Sequence, residues 1–211
     1  NGKQVPVYAV QSQNGTASYD QQSGVLLYHT NGQVNTKLLD LRQRQLPWLE
    51  GRPPSWLAKT RRLTYTGSLQ SMQQQMQMGV SATFDVVGVG ANAIVCKRSV
   101  MLNNPMGGPA PQESMVVSGP SQSGGLWLPP LALKQLKQGQ VIDQDQVLNA
   151  RLSVAAVGRT QYGRNAVTIV EESQGYTLYG DYEIETGILL MATQIDKNQG
   201  IQTSISFTGR Q

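Results

Sequence analysis

The sequence predicts a mainly β protein: a large curved antiparallel sheet or half-open barrel of about a dozen strands, with one or two short helices. Three observations predict it. Apolar and polar residues alternate with period two along many short runs. Turn-forming pairs separate those runs at regular intervals. Only one stretch carries a clear helical pattern.

Taken in order, strand-like runs cover 5–11, 16–20 and 24–31, punctuated by Asn14-Gly15 and Asn31-Gly32. "KLLDLRQRQ", from Lys37 to Gln45, carries a weaker helical pattern. "LPWLEGRPPSWLAK" then breaks the alternation with three prolines and two tryptophans. In "RLTYTGSL", Leu63, Tyr65 and Leu69 fall on one side and Thr64, Thr66 and Ser68 on the other. In "MQMGVSATFDV", Met76, Met78, Val80, Ala82, Phe84 and Val86 share a face opposite Gln77, Ser81, Thr83 and Asp85. Such alternation marks strands with one buried face. Runs at 93–102 and 113–118 flank "NNPMGGPAPQ", which is too rich in Pro and Gly to pair.

"PPLALKQLKQG" is the helix. Pro129 and Pro130 suit its start, Leu131, Leu133 and Leu136 form a short apolar face, and Gly139 is a stop signal. "GQVIDQDQVLNA" reads as a polar connection to the next strand. Strands then follow at 151–157, 165–171, 176–183, 187–195 and 201–207, with turns at Gln174-Gly175 and Gln199-Gly200. One β-rich domain over 1–211 is expected. Its N-terminal strands, 1–45, join the remaining sheet through the Pro/Trp segment 46–58.

A phrase occurs twice. "YDQQSGVLL" begins at Tyr19 and "YEIETGILL" begins at Tyr182. Both fit a hairpin whose loop is closed by a glycine at positive φ, Gly24 or Gly187, with the acid accepting backbone N–H bonds at the turn. The alternative, metal binding by Asp20 or by Glu183 with Glu185, offers too few ligands.

Composition excludes several function classes. Charged residues are 14% and the net charge is +4, while Gln alone numbers 26 among 211 residues. Bases occur singly or in short clusters, with no stripe of Lys/Arg interleaved with aromatics, so nucleic acid is not the expected partner. No apolar run of about 18 residues exists to span a membrane. The opening "NGKQVPVYAV" already looks like a strand, and a signal peptide is taken to have been removed.

Candidate chemistry is sparse. The single cysteine, Cys96, lies in the apolar run "AIVCKR" and reads as a small buried hydrophobe. The single histidine, His29, lacks a nucleophile elbow or a ligand cluster, so neither Ser/His/Asp catalysis nor zinc is expected. Asp143 and Asp145 have the Asp-x-Asp spacing of calcium loops, with Asn149 beyond, but the Gly and distal Glu of such loops are missing. "DVVGVGANA" and "SGPSQSGG" are Gly-rich without a phosphate-loop ending. Glu171, Glu172, Asp181 and Glu183 lie on neighbouring strands, where acids of an exposed strand face are commoner than a glycosidase pair. No catalytic residue, metal or cofactor is assigned.

The aromatic residues are more suggestive. Trp48, Trp56 and Trp127 each sit beside prolines. They can line the mouth of a sheet's apolar face or anchor loops against the core.

The many-stranded antiparallel pattern, the short helices and the two Tyr-acid-x-x-Ser/Thr-Gly phrases resemble the periplasmic lipoprotein-carrier and LppX-like group. That resemblance implies a half-open barrel with a concave apolar face that takes acyl chains or other lipids. The expected function is a non-catalytic periplasmic or secreted binding protein. An apolar or lipid-like ligand would lie against Phe84, Trp127, Met76, Met78 and Trp56. The alternative is a structural cell-surface or filament subunit that self-assembles through strand edges.

Overall fold

The structure, a computed structural model, describes residues 6–12, 15–21, 25–38, 45–73, 75–103, 111–119 and 125–211. Its internal contacts divide the chain into two compact units, Asn1–Gln43 and Arg44–Gln211.

The first unit is a four-stranded antiparallel meander: β1 (Val7–Ser12), β2 (Gly15–Asp20), β3 (Leu26–Thr30) and β4 (Asn35–Lys37). The β3–β4 turn is held by Asn31, whose side-chain oxygen accepts the N–H groups of Gln33 at 3.0 Å and Val34 at 2.8 Å. This is the local bonding that makes Asn a turn residue. Lys37 closes a strand rather than opening a helix. The rest of the expected 37–45 helix falls largely outside the described residues.

Among the described residues the second unit is a ten-stranded, wholly antiparallel, curved sheet that does not close into a barrel. Its strands are β5 (Arg62–Ser71), β6 (Met76–Val89), β7 (Ile94–Asn103), β8 (Gln112–Ser118), β9 (Val141–Asp145), β10 (Ala150–Arg159), β11 (Asn165–Glu172), β12 (Tyr176–Glu183), β13 (Leu189–Asp196) and β14 (Ile201–Arg210). The spatial order is β8-β7-β6-β5-β14-β13-β12-β11-β10-β9. The final strand is therefore inserted beside β5, and β8 and β9 form the two edges.

Two short segments pack on one face of this sheet. The first carries Leu46, Trp48 and a 3₁₀ turn at Leu57–Lys59. The second runs from Gly125 through a one-turn helix, α1 (Pro130–Leu133). Leu57, Trp127, Leu128 and Leu133 of these segments form one hydrophobic cluster with Leu63, Tyr65, Phe84, Ile94, Val154, Val167 and Leu189 of the strands. The three tryptophans act as anchors. Trp127 is 0% exposed and its indole N–H donates to the Ser118 carbonyl at 3.3 Å. The Trp56 indole N–H donates to the Thr186 carbonyl at 2.8 Å, and the Arg210 guanidinium stacks 5.3 Å over its ring.

The helix is shorter than its sequence pattern suggests. Leu131, one of its three expected apolar residues, is 79% exposed. After α1 the chain is captured by the sheet instead: the Gly139 N–H donates to the Val154 carbonyl and the Val154 N–H to Gln140. The stretch expected as a polar connection, from Val141 to Asp145, is an edge strand. Asp145 still acts locally, because its carboxylate accepts the N–H groups of Val147 at 2.9 Å and Leu148 at 3.0 Å.

The repeated phrase gives the same backbone bond in each unit. The Asp20 N–H donates to Val25, five residues on, and the Glu183 N–H donates to Ile188, also five residues on, each at 2.9 Å. Gly24 lies outside the described residues. Gly187 has φ 74°, and a Cβ there would fall 1.9 Å from the Leu128 carbonyl oxygen, so both the turn and the approach of the second packing segment need glycine. In the second copy the acid's role differs from expectation. The Glu183 carboxylate accepts from the Thr186 hydroxyl and pairs with Arg164 at 3.2 Å rather than capping backbone N–H groups.

Candidate ligand-binding face

Directly opposed residues in an antiparallel sheet point to the same side, so the register fixes which residues share the face that the two segments pack on. Crossing the sheet near one end of the strands, the first row is Arg98, Phe84 and Leu63. The next is Val100, Ala82, Tyr65 and Phe207, followed by Leu102, Val80, Gly67 and Ile205. Beyond come Met78, Leu69 and Thr203, then Met76, Ser71 and Ile201.

The first two rows are sealed at their centre, while Arg98 at the margin is exposed. Leu63, Tyr65, Ala82 and Phe84 are buried beneath the packing segments. The Tyr65 ring stands edge-on to Phe84 and Phe207, at 5.7 and 5.6 Å between centroids, and its hydroxyl donates to the Leu189 carbonyl at 3.1 Å. Burial pushes the Tyr65 phenol well above its ordinary range, with nearby Tyr182 adding to the effect. It likewise pushes the Cys96 thiol up to about 11, with the Asp85 charge adding to it. Cys96 is thus a packed thiol with little thiolate at neutral pH.

The later rows leave the sealed cluster and stay largely apolar, interrupted by Thr203 and by Ser71, which like Val80 is buried. Leu69, Met78, Leu102 and Ile201 are half-buried and Met76 is 38% exposed. None of the five belongs to the hydrophobic cluster beneath the packing segments. Two polar groups flank this stretch on the β11–β13 side. Glu171 accepts from the Tyr176 hydroxyl at 3.0 Å, and Asp196 accepts the N–H groups of Asn198 and Gln199, each at 2.9 Å. Glycine at position 67 lets β14 come close, since a Cβ there would lie 1.8 Å from the Ser204 carbonyl oxygen.

The five residues singled out from the sequence therefore fall into three places. Phe84 and Trp127 are in the filled core, Met76 and Met78 are in the open rows, and Trp56 is half-buried beside Arg210. Leu69, Leu102 and Ile201 share the open rows and were not singled out. Their signal was the period-two alternation, but only strand pairing places them beside the methionines.

Other candidate chemistry is dispersed. Glu171 lies on the packed face, whereas Asp181 and Glu183 lie on the opposite face, by the register of β11 with β12. Asp181 accepts from the Thr168 hydroxyl at 2.7 Å, Glu183 from Thr186 and Arg164. Among the described residues no group of three or more His, Cys, Asp or Glu side chains could hold a metal ion. Among the described residues no helix is long and apolar enough to cross a membrane.

No protein-family model matches the chain, and no curated protein matches it. Solved structures do. One is the MucA/MucB complex of Pseudomonas aeruginosa, at 14% identity and a TM-score of 0.36, covering 73% of this chain and 53% of that one. The chain thus spans about half the length of the MucB structures it matches. Another is a DUF1329 family protein from Desulfovibrio piger, at 11% identity and a TM-score of 0.25, covering 74% of this chain and 87% of that one. A third is a putative outer membrane lipoprotein-sorting protein domain from Vibrio parahaemolyticus, at 8% identity and a TM-score of 0.24, covering 71% and 83%. The group resembled in sequence is therefore represented among the structural neighbours. These likenesses are remote, and function has to be read from the chain's own residues.

Proposed function

We propose that this chain is a non-catalytic, extracytoplasmic binding protein that holds an apolar or lipid-like ligand along the open rows of the packed sheet face. One observation carries the reading: apolar side chains continue in register past the end of the sealed core, at Leu102, Met78, Leu69, Ile201 and Met76. These side chains stay apolar beyond the hydrophobic cluster that the two packing segments cover, and Met76 is 38% exposed. Two methionines suit a ligand of variable shape, because the unbranched thioether adapts its rotamers. In this reading Phe84 and Trp127 support the floor, and Trp56 holds the rim of the first packing segment. Covering about 300 Å² of apolar surface supplies roughly 7 kcal/mol gross at ~25 cal/mol per Å², which association costs reduce to the micromolar range.

Native mass spectrometry of freshly purified protein tests this. A retained adduct in the mass range of a fatty acid or phospholipid, lost on mild activation, is the expected result. A bare chain that also fails to take up added lipid would overturn the reading.

A second reading has its own observation. The edge strand β8 turns Met115 and Val117, 61% and 54% exposed, away from the packed face. An edge with outward apolar side chains suits strand-to-strand assembly. The same spectra separate the two, since this reading gives concentration-dependent oligomers without adducts.

A further inference from the structure

A hollow lies on the sheet face opposite the packed one. The row Ala156–Thr168–Asp181–Met191 crosses β10, β11, β12 and β13, and a β-bulge borders it on each outer strand. Ala155 is the extra residue of β10, and Leu190 is the extra residue of β13. A bulge bends its strand and sharpens the local twist. Small residues then leave the space over the row unfilled. Ala156, Gly158 and Ala166 carry a methyl group or less, and a Cβ on Gly158 would meet no atom within 4 Å. The β10–β11 hairpin, with exposed Tyr162, borders one side. The hollow measures about 340 Å³, at the small end of ligand pockets.

Its floor carries one charge, Asp181, which is half-buried. The Asp181 Oδ1 accepts the Thr168 hydroxyl at 2.7 Å. Among the described residues, Asp181 joins none of the ion pairs, and its Oδ2 accepts no hydrogen bond. The two arginines of the hairpin are engaged elsewhere. Arg164 pairs with Glu183 at 3.2 Å. Arg159 opposes Asn165 on the Val167 side of the sheet, and its Nε–H donates to the Gly163 carbonyl at 3.0 Å at the hairpin tip. Because the Thr168 hydroxyl proton is committed to Asp181, the Thr168 oxygen is left as an acceptor.

These groups select among ligand classes. An anion meets the uncompensated charge of Asp181. A neutral apolar molecule removes Oδ2 from water and gives it no partner, which is costly. A guanidinium works best as a planar fork on two free carboxylate oxygens, and here one is already taken by Thr168. An ammonium group is compact and carries three donors, so it can serve Asp181 Oδ2 and Thr168 Oγ1 together.

We propose that this hollow binds a primary amine cation on a short apolar body, with the ammonium group on Asp181 and Thr168 and the body against Met191 and Ala166. The site lies on the other sheet face from the proposed lipid site and does not rest on that reading.

The test is a titration of the intact chain with 2-phenylethylammonium chloride at fixed ionic strength, followed by calorimetry and by the methionine methyl resonances in NMR. Saturable binding that moves the Met191 signal is expected. 2-Phenylethanol, which has the same body without the charge, should bind at least about tenfold more weakly. Asp181→Asn keeps an oxygen for the Thr168 hydroxyl, so the fold should be retained. It should weaken the amine by at least about tenfold and leave the alcohol's binding unchanged, a difference that a merely structural role would not produce. Should the variant fail to fold, the amine and alcohol on wild-type protein decide the matter alone. Absence of saturable binding up to about 10 mM, equal binding of amine and alcohol, or wild-type affinity for the amine in Asp181→Asn would overturn the proposal. So would saturation that moves the Met76 and Met78 signals and leaves Met191 unchanged.

Discussion

The two halves of the packed sheet face have the same alternation and a different neighbourhood. In the sealed half, Tyr65, Phe84 and Leu63 are covered by Trp127, Leu57 and Leu133 from the two packing segments. In the open half, Met78, Leu69 and Ile201 continue the pattern on the same strands without joining that cluster. The difference teaches that period-two alternation reports which side of a strand is apolar, not whether the protein itself covers that side. Covering is decided by remote segments, here residues 46–59 and 125–136.

The comparison can be broken most severely in the sealed half. Trp127→Ala should cost about 3–5 kcal/mol, because it empties a fully enclosed site and removes the indole bond to Ser118. Met76→Ala in the open half should cost less than about 1 kcal/mol. Chemical denaturation of the two variants measures the contrast, and equal losses would mean that the halves are not distinct.

Gly187→Ala should come next. It forces a Cβ toward the Leu128 carbonyl in a left-handed backbone, and about 2–4 kcal/mol is expected from strain and displacement of the second packing segment. Tryptophan fluorescence should shift along with the loss, since Trp127 itself forms that segment's bridge to Ile188. A variant that melts with the wild type would show that the segment is not held by this turn.

pH separates the halves more gently. The raised Cys96 and Tyr65 values favour the neutral groups in the folded state. Their contribution is complete below the thiol's ordinary value, about 8.5, and is lost as pH rises through about 11 for Cys96. The Tm should therefore fall on the alkaline side, and a thiol reagent at about pH 8 should modify Cys96 only on unfolding. Rapid labelling of native protein would place Cys96 outside the sealed core. The smallest effect is on the acid side. The Arg62 hydrogen bonds hold the Asp85 carboxyl below its usual range, at 2.5 and 3.0 Å. That contribution is present above the ordinary carboxylate value, about 3.9, and disappears as pH falls through the lower folded value. Asp85→Asn should slightly flatten the acid limb of a Tm–pH profile and leave neutral stability nearly unchanged, because the pair is largely exposed.

Much of the sheet was legible because alternation is local. The strands at 63–69, 76–86 and 201–207 lie within β5, β6 and β14. Two strands were not legible. β4 has three residues, and β9 reads Val-Ile-Asp-Gln-Asp, a polar edge whose strand character comes from pairing with β10. The helix was overread because Leu131 and Leu136 suggested a longer face, while the bonds of Gly139 and Gln140 to Val154 draw the chain onto the sheet. For the candidate face, Met76 and Met78 were visible as members of one stripe. Their company with Leu69, Leu102 and Ile201 depends on pairings across β5, β7 and β14, which no single run of sequence contains.

The most direct test of the central claim is a fluorescence titration of a polyene fatty acid into wild-type protein and into Met78→Gln. This substitution changes a half-buried methionine outside the sealed cluster, so folding should be nearly unaffected. Saturable binding with a Kd near the micromolar range, weakened roughly tenfold in the variant at unchanged Tm, is the result the open-face reading predicts. Non-saturable uptake, or equal affinity in both proteins, would contradict it.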